Sequence, residues 1–291
     1  MRGRKIFRFL AVYPYVCLAL CIATVGVLLT AAAARAAEPV IPNFVDPGRY
    51  VVKPDFDRIQ QIRFLTELDA PPFSYIGPDG ELTGFNVDLA REICRVLDLP
   101  CTIQGFKWEL LVSGIEAGRG DAIIAQIAIT EESRRRFLFT DRYLARPGRF
   151  VGTDRVTIPE ATPTALGGKA VAVVQGSAHE AFLRNVFPGS AAMPYADITA
   201  ALKALRDGNA DLVFGDALSL SLWLNGKASD GCCHFVGGPF TESRYFGEGL
   251  AIAVAPENAA LADALNHALA RVGASNEFLE IYLRYFPISF Y

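Results

Sequence analysis

Cys94, Cys101, Cys232 and Cys233, three histidines, an aspartate behind an apolar run and a block of three arginines are the side chains here that could do chemistry. The histidines (His179, His234, His267) are scattered, and none stands at a cysteine–histidine spacing that suggests zinc. No isolated pair of acids demands a general acid and a general base. Asp216 ends Leu212-Val213-Phe214-Gly215 and precedes Ala217-Leu218, a place where Asp caps a helix start. Arg134, Arg135 and Arg136 read first as a solvated basic face. Glu67 reads as a strand-end acid, Trp108 as a core residue anchoring a helix and His179 as a surface helix residue. Disulfide formation is the one covalent chemistry this inventory asks for.

The compartment follows from the first thirty-six residues. Arg2, Arg4, Lys5 and Arg8 precede a nearly uncharged apolar run, Val12 to Ala34, which ends in Ala34-Arg35-Ala36. That order of charge, apolar run and small residues is a secretory signal cleaved after Ala36, although the run is long enough for an uncleaved anchor. Removing it takes away five basic residues and no acidic ones, so the formal net charge goes from −3 to −8. So acidic a chain is a poor partner for nucleic acid, which needs clustered Lys and Arg to displace counterions. Cys17 and Cys21 leave with the signal. The four remaining cysteines, in an oxidising compartment, permit three pairings. Cys94 and Cys101 could close the short loop across Leu97-Asp98-Leu99-Pro100, while Cys232-Cys233 fits either a vicinal bridge or two buried thiols.

The elements that must position these residues alternate strand and helix. Ala37 to Asp57, with Pro39, Pro42, Pro47 and Pro54, reads as an extended arm. Ile62–Thr66 is a strand, Pro78-Asp79-Gly80 a tight turn, and Val87, Ala90, Cys94 and Leu97 fall at helical spacing. Trp108–Glu116 is a second helix, and Ala122–Ala125 an apolar strand of the buried parallel kind. Further cycles follow: strand Lys169–Val174, helix Ala178–Asn185, helix Ile198–Arg206, strand Leu212–Gly215 and helix Ala217–Leu224. A strand at Leu250–Val254 and helices Asn258–Val272 and Asn276–Tyr285 end the chain. Alternation of this kind argues for parallel α/β sheets, two of them in about 255 residues.

Several motifs stand in a fixed order: Pro71-Pro72-Phe73, Gly84-Phe85-Asn86-Val87-Asp88-Leu89, Ile129-Thr130, Phe139-Thr140-Asp141, Gln175-Gly176-Ser177, Gly208-Asn209-Ala210-Asp211 with Asp216, and Phe246-Gly247-Glu248-Gly249. Each is weak alone. In this order, over Ile62 to Phe286, the chain resembles the family 3 solute-binding proteins, the periplasmic receptors of polar amino-acid ABC transporters. The resemblance implies a bilobal periplasmic-binding-protein fold, two α/β lobes joined by a two-strand hinge. Residues 1–36 would be the signal, 37–61 the arm, 62–150 plus 248–291 the first lobe and 151–247 the second. The chain would cross between lobes near Arg149–Thr153 and Tyr245–Gly249. Histidine and lysine/arginine/ornithine receptors share the Cys94–Cys101 spacing, so that bridge is expected.

The resemblance also implies a ligand set. An amino-acid receptor must hold two opposite charges with little water, and an unpaired buried charge is very costly. Asp216 stands where the family meets the ammonium. The family's carboxylate-binding arginine falls on Ser133 here, so Arg134 takes that role by a small shift of the helix start, as a bidentate fork. The stacking aromatic is replaced by Ala70, and small hydroxyl positions by Ala125, Gln126 and Ala128. The grip then rests on backbone amides, on Gln126 and on Ser177, Ala178 and His179 at a helix start, which favours anions. Trp108 falls on an apolar wall, and Glu67 on an acid that reads the ligand's side chain and hints at a cation.

The expected function is capture of a small polar solute, an amino acid, by lobe closure, and its delivery as a monomer to a membrane permease, with no cofactor and no metal. Two alternatives remain. One is a periplasmic enzyme on the same fold, similar to cyclohexadienyl dehydratase, with Glu67 or Glu248 as proton donor; the other is a sensor module held by an uncleaved anchor. N-terminal sequencing of the exported protein is expected to begin at Ala37, whereas a start at Met1 supports the anchored form.

Overall fold

A computed structural model describes residues 41–42 and 53–291, so the signal and most of the arm lie outside the described residues. The described end of the arm packs inward: Phe56 is buried, with the Lys53 ammonium 4.6 Å from its ring centroid. The chain then enters β1 (Ile62–Glu67), where Ile62, Phe64 and Leu65 are fully buried. A small antiparallel sheet follows, β2 (Asp69–Ala70), β3 (Ser74–Ile76) and β4 (Leu82–Thr83), turned at Gly77–Gly80. Gly84 ends it with φ 130°, and a Cβ there would lie 2.3 Å from the Phe73 carbonyl oxygen. Only glycine lets the next helix start so close to that strand.

The helix Phe85–Leu97 buries the expected stripe, Val87, Ala90, Cys94 and Leu97, together with Phe85, Leu89 and Ile93. It stops at Asp98, which is left-handed at φ 55°, and Cys94 is bridged to Cys101 at the start of β5 (Cys101–Phe106). β1 lies between β5 and β6 (Ala122–Ile123), parallel to both. The parallel pattern then stops: β13 (Ala253–Val254) returns antiparallel between β6 and β7 (Leu138–Phe139), giving the order β5-β1-β6-β13-β7. Ala122–Ala125 is buried as expected, but its second neighbour runs the other way.

The second sheet has the order β10-β9-β11-β8-β12. Its parallel half is β9 (Ala170–Val174), β10 (Ala191–Tyr195) and β11 (Leu212–Asp216); β8 (Gly148–Thr153) is antiparallel to both β11 and β12 (Cys233–Phe240). Phe150, Phe182, Phe187 and Phe214 fill one face, the Phe150 and Phe214 rings 4.4 Å apart. The expected crossing at Arg149–Thr153 is already a strand of this sheet, so the link lies upstream. There Leu144 bridges Leu250: the Leu250 N–H donates to the Leu144 carbonyl at 2.7 Å and the Tyr143 N–H to that of Leu250 at 2.8 Å. Cys232 and Cys233 are bonded to each other, the vicinal alternative of the two left open.

The helices Ala259–Gly273 and Asn276–Tyr285 pack their apolar faces on the first sheet's core. Phe85 sits at its centre, within 5.1–6.3 Å of the Phe286, Phe278, Tyr143 and Phe73 rings. Phe85→Ala is expected to destabilise the protein by about 3–5 kcal/mol, read from the midpoint of urea unfolding, because so enclosed a cavity cannot collapse.

Candidate functional site

Asp216 is the last residue of β11 and the cap of the helix Ala217–Asn225. Its Oδ2 accepts from the Ser219 N–H at 3.0 Å and from the Ser219 hydroxyl at 2.8 Å. β11 pairs with β8 so that Asp216 lies opposite Gly148, and the Ala217 N–H donates to the Pro147 carbonyl at 2.9 Å. This register puts Arg146, two residues before β8, beside the carboxylate. Arg146 Nε donates to Oδ1 and Nη2 to Oδ2, both at 3.1 Å, and Nη1 reaches Gln126 Oε1 at 3.3 Å. One residue from each sheet's segment and one from the link between them thus meet in a single polar group. Burial alone would raise the Asp216 carboxyl, but the Arg146 charge and the donors of Arg146 and Ser219 outweigh it and hold it below the usual range.

His179 belongs to the same group. It sits in the first turn of the helix Ala178–Val186, its ring 5.0 Å from Phe246 and 5.6 Å from Phe214. Burial lowers its pKa; the Asp216 charge raises it and the Arg146 charge lowers it further, so the imidazole is neutral at pH 7. Ser177 caps this helix, accepting from the Glu180 N–H at 3.1 Å and donating to the Val174 carbonyl at 2.6 Å. Its hydroxyl is therefore occupied by the fold, while Ala178 is exposed beside it. Glu67 ends β1 half-buried; burial first, and then the like charge of Asp69, push its carboxyl up.

The other expected residues are placed as follows. Ala125 is buried and Ala128 exposed, its carbonyl accepting from the Ser133 hydroxyl at 2.8 Å. Ser133 also closes a capping box with Thr130, which fixes the start of the helix Glu131–Arg136. Arg134, half exposed, reaches Glu248 at 2.5 Å. Trp108 is no core anchor: it is 47% exposed and lines a cavity of about 350 Å³ with Leu111, Val112, Ile127 and Arg136. It is the first residue of the helix Trp108–Glu116, and its ring stays at the cavity's edge. Sequence reasoning missed Arg146. Its signal was the step from Ala145 to a charged residue just before Pro147-Gly148, at the end of a buried run.

Comparison with known proteins decides the family. The model of the bacterial extracellular solute-binding proteins, family 3, matches residues 62–288. The chain belongs to that family. Among its relatives, the putative ABC transporter arginine-binding protein 2 of Escherichia coli is 33% identical, over 78% of this chain and 91% of its own length. The L-arginine-binding protein of Pseudomonas aeruginosa is 31% identical over 82% of this chain and 92% of its own. The unliganded, open L-cystine solute receptor of Neisseria gonorrhoeae shares the fold at a TM-score of 0.68 and 19% identity, covering 78% of this chain and 92% of that one. The family is bilobal, and the two five-stranded sheets are its two lobes.

The sign of the Asp216 shift sets a pH dependence. A carboxyl held below its ordinary value stabilises the fold above the unfolded pKa and loses that contribution as pH falls through the folded one. Asp216→Asn is expected to be less stable than the parent by about 1–3 kcal/mol at pH 7. In thermal melts the gap begins to narrow as pH falls through about 4, where the unfolded chain's carboxyl takes up a proton, and closes only below the lower pKa of the folded parent.

Proposed function

We propose that the protein captures a small polar solute, an amino acid, between its two lobes and works as a monomer in the periplasm, delivering the solute to an ABC permease. The observation that carries this is the polar group of Asp216, Arg146, Gln126 and His179. It draws from both lobes and from the link between them, so a ligand seated there would touch both halves and favour their closure. Opposite charges held side by side suit a ligand that carries both. The names of the relatives, which include arginine-, histidine- and lysine/arginine/ornithine-binding proteins, point to the same class. We assign the first lobe to 62–147 plus 248–291 and the second to 148–247, the expected boundary at residue 150 moving back because β8 begins at Gly148, and the N-terminal 36 residues to export.

Within the site, Asp216 is assigned to the ligand's ammonium and His179 to a neutral wall against Phe246. Gln126 and the amides at the helix start Ser177–His179 would supply donors, and Glu67 would face the ligand's side chain. A second reading takes its support from Glu67: a carboxyl pushed up by burial and by Asp69 is closer to what a proton donor needs. Turnover of a prephenate-type substrate by the purified protein, lost in Glu67→Gln, would establish that reading.

The receptor reading is tested by melting the mature protein against the twenty amino acids. A ligand at about 100 times its Kd adds about 2.7 kcal/mol, which for a chain of this size is a rise of about 5–10 °C in Tm. One or a few amino acids are expected to give it, and Asp216→Ala to lose it relative to its own unliganded melt. A flat panel sinks the amino-acid assignment.

A further inference from the structure

The site as described leaves the ligand's carboxylate without a cation. Arg134 is half exposed and engaged by Glu248, and the Ser133 hydroxyl is used by Thr130 and Ala128. Arg146 stands differently. Its side chain is 37% exposed, and of the five N–H donors of a guanidinium three are engaged: Nε and one Nη2 proton on Asp216, one Nη1 proton on Gln126. Two donors remain. Its contacts to Asp216 are both 3.1 Å, longer than the 2.7–2.9 Å of a tight charge-assisted bond, whereas Arg63 meets Asp121 at 2.7 Å in the first sheet. Ser219 holds Asp216 through its N–H and its hydroxyl, independently of Arg146. The carboxylate is therefore pre-positioned to receive a different cation.

We propose that Arg146 is the ligand's carboxylate anchor, and that the Arg146–Asp216 ion pair is the ligand-free form of a zwitterion site. An α-amino acid enters between the two residues, its carboxylate on Arg146 and its ammonium on Asp216, and one internal ion pair becomes two. This rests on the receptor reading above and adds the residue that makes it selective. In neither state is a charge left buried and alone, which is the condition such a site must meet. A ligand with the ammonium but no carboxylate has to separate Arg146 from Asp216 and offers Arg146 nothing in return. The exchange also takes place at the link between lobes, since Arg146 stands two residues before β8 and also holds Gln126 of the first lobe. Occupancy thereby alters a contact that ties both lobes to the link, and so biases their closure.

The test is titration calorimetry on the mature protein, on Arg146→Ala and on Arg146→Lys. The probes are the twenty amino acids and, for arginine, lysine and histidine, their decarboxylated forms agmatine, cadaverine and histamine. The parent is expected to bind at least one of arginine, lysine and histidine and to reject the matching amine. Arg146→Ala should bind that amino acid about 30-fold or more weakly, and Arg146→Lys should recover part of the loss. Circular dichroism melts check that each variant is folded, and the lysine variant keeps the test decisive if the alanine one is not. If a folded variant at Arg146 binds as tightly as the parent or more tightly, Arg146 is only a counter-ion competing for Asp216. The inference then fails while the receptor reading stands. Equal binding of an amino acid and its amine by the parent has the same meaning. Silence from the parent and both variants across all twenty amino acids overturns the receptor reading and the inference with it.

Discussion

Two opposite charges at the junction of two sheets, the carboxylate too little hydrated to stand alone, form the constraint on which this structure depends. Asp216 can keep its charge there because Arg146 and the Ser219 donors meet it. Those partners are in place because β11 and β8 are paired in one register, with Asp216 opposite Gly148. A shift of one residue would turn every side chain of β11 to the other face of the sheet. The aromatic layer of Phe150, Phe182 and Phe214 prevents it, since it can be buried in one register only. Packing on one side of the sheet thus fixes electrostatics at its end.

Gly148 shows how tightly the two requirements are bound together. A Cβ on it would lie 2.6 Å from the Phe214 ring and 2.9 Å from that of Phe246. The absence of a side chain lets the aromatic layer run up to the polar group without a gap. The same layer places Phe246 against His179 and keeps that imidazole in the neutral form beside the ion pair. Charge and apolar packing are here adjacent surfaces of one arrangement.

Much of the architecture was legible in the sequence because the core helices and parallel strands carry clean periodicity. Ile198–Arg206 and Asn276–Tyr285 have the expected bounds, and the stripe through Val87 and Cys94 is buried. What escaped was antiparallel or broken. β10 contains Pro194 and β12 contains Gly237-Gly238-Pro239, residues that erase a strand pattern; in β12 they also break the register between Val236 and Phe240, with Gly237 at φ 65°. β13 is two residues long and takes its direction from sheet closure alone. In the site, Asp216 was found because it stands at a strand-to-helix junction that local rules describe. Arg146 was not, because its role comes from a strand pairing some seventy residues apart in the chain, which no local pattern records. The core reading of Trp108 fails because local spacing does not distinguish a buried ring from one left half exposed at the edge of a cavity.

The first sheet is interrupted in sequence and the second is not. All five strands of the second sheet lie between Gly148 and Phe240, whereas the first needs β13, at Ala253–Val254, and is covered by helices that reach Tyr285. A chain that emerges from its N-terminus presents β1 first but cannot finish the lobe that contains it. The second lobe has all its strands available earlier, and domains fold as units as they emerge. The lobe that starts the sequence is therefore the last to be completed. Until then Phe85 and its neighbours lack the rings of Phe278 and Phe286, which leaves the larger apolar core open to solvent or to a holding chaperone for the time it takes to deliver the last forty residues.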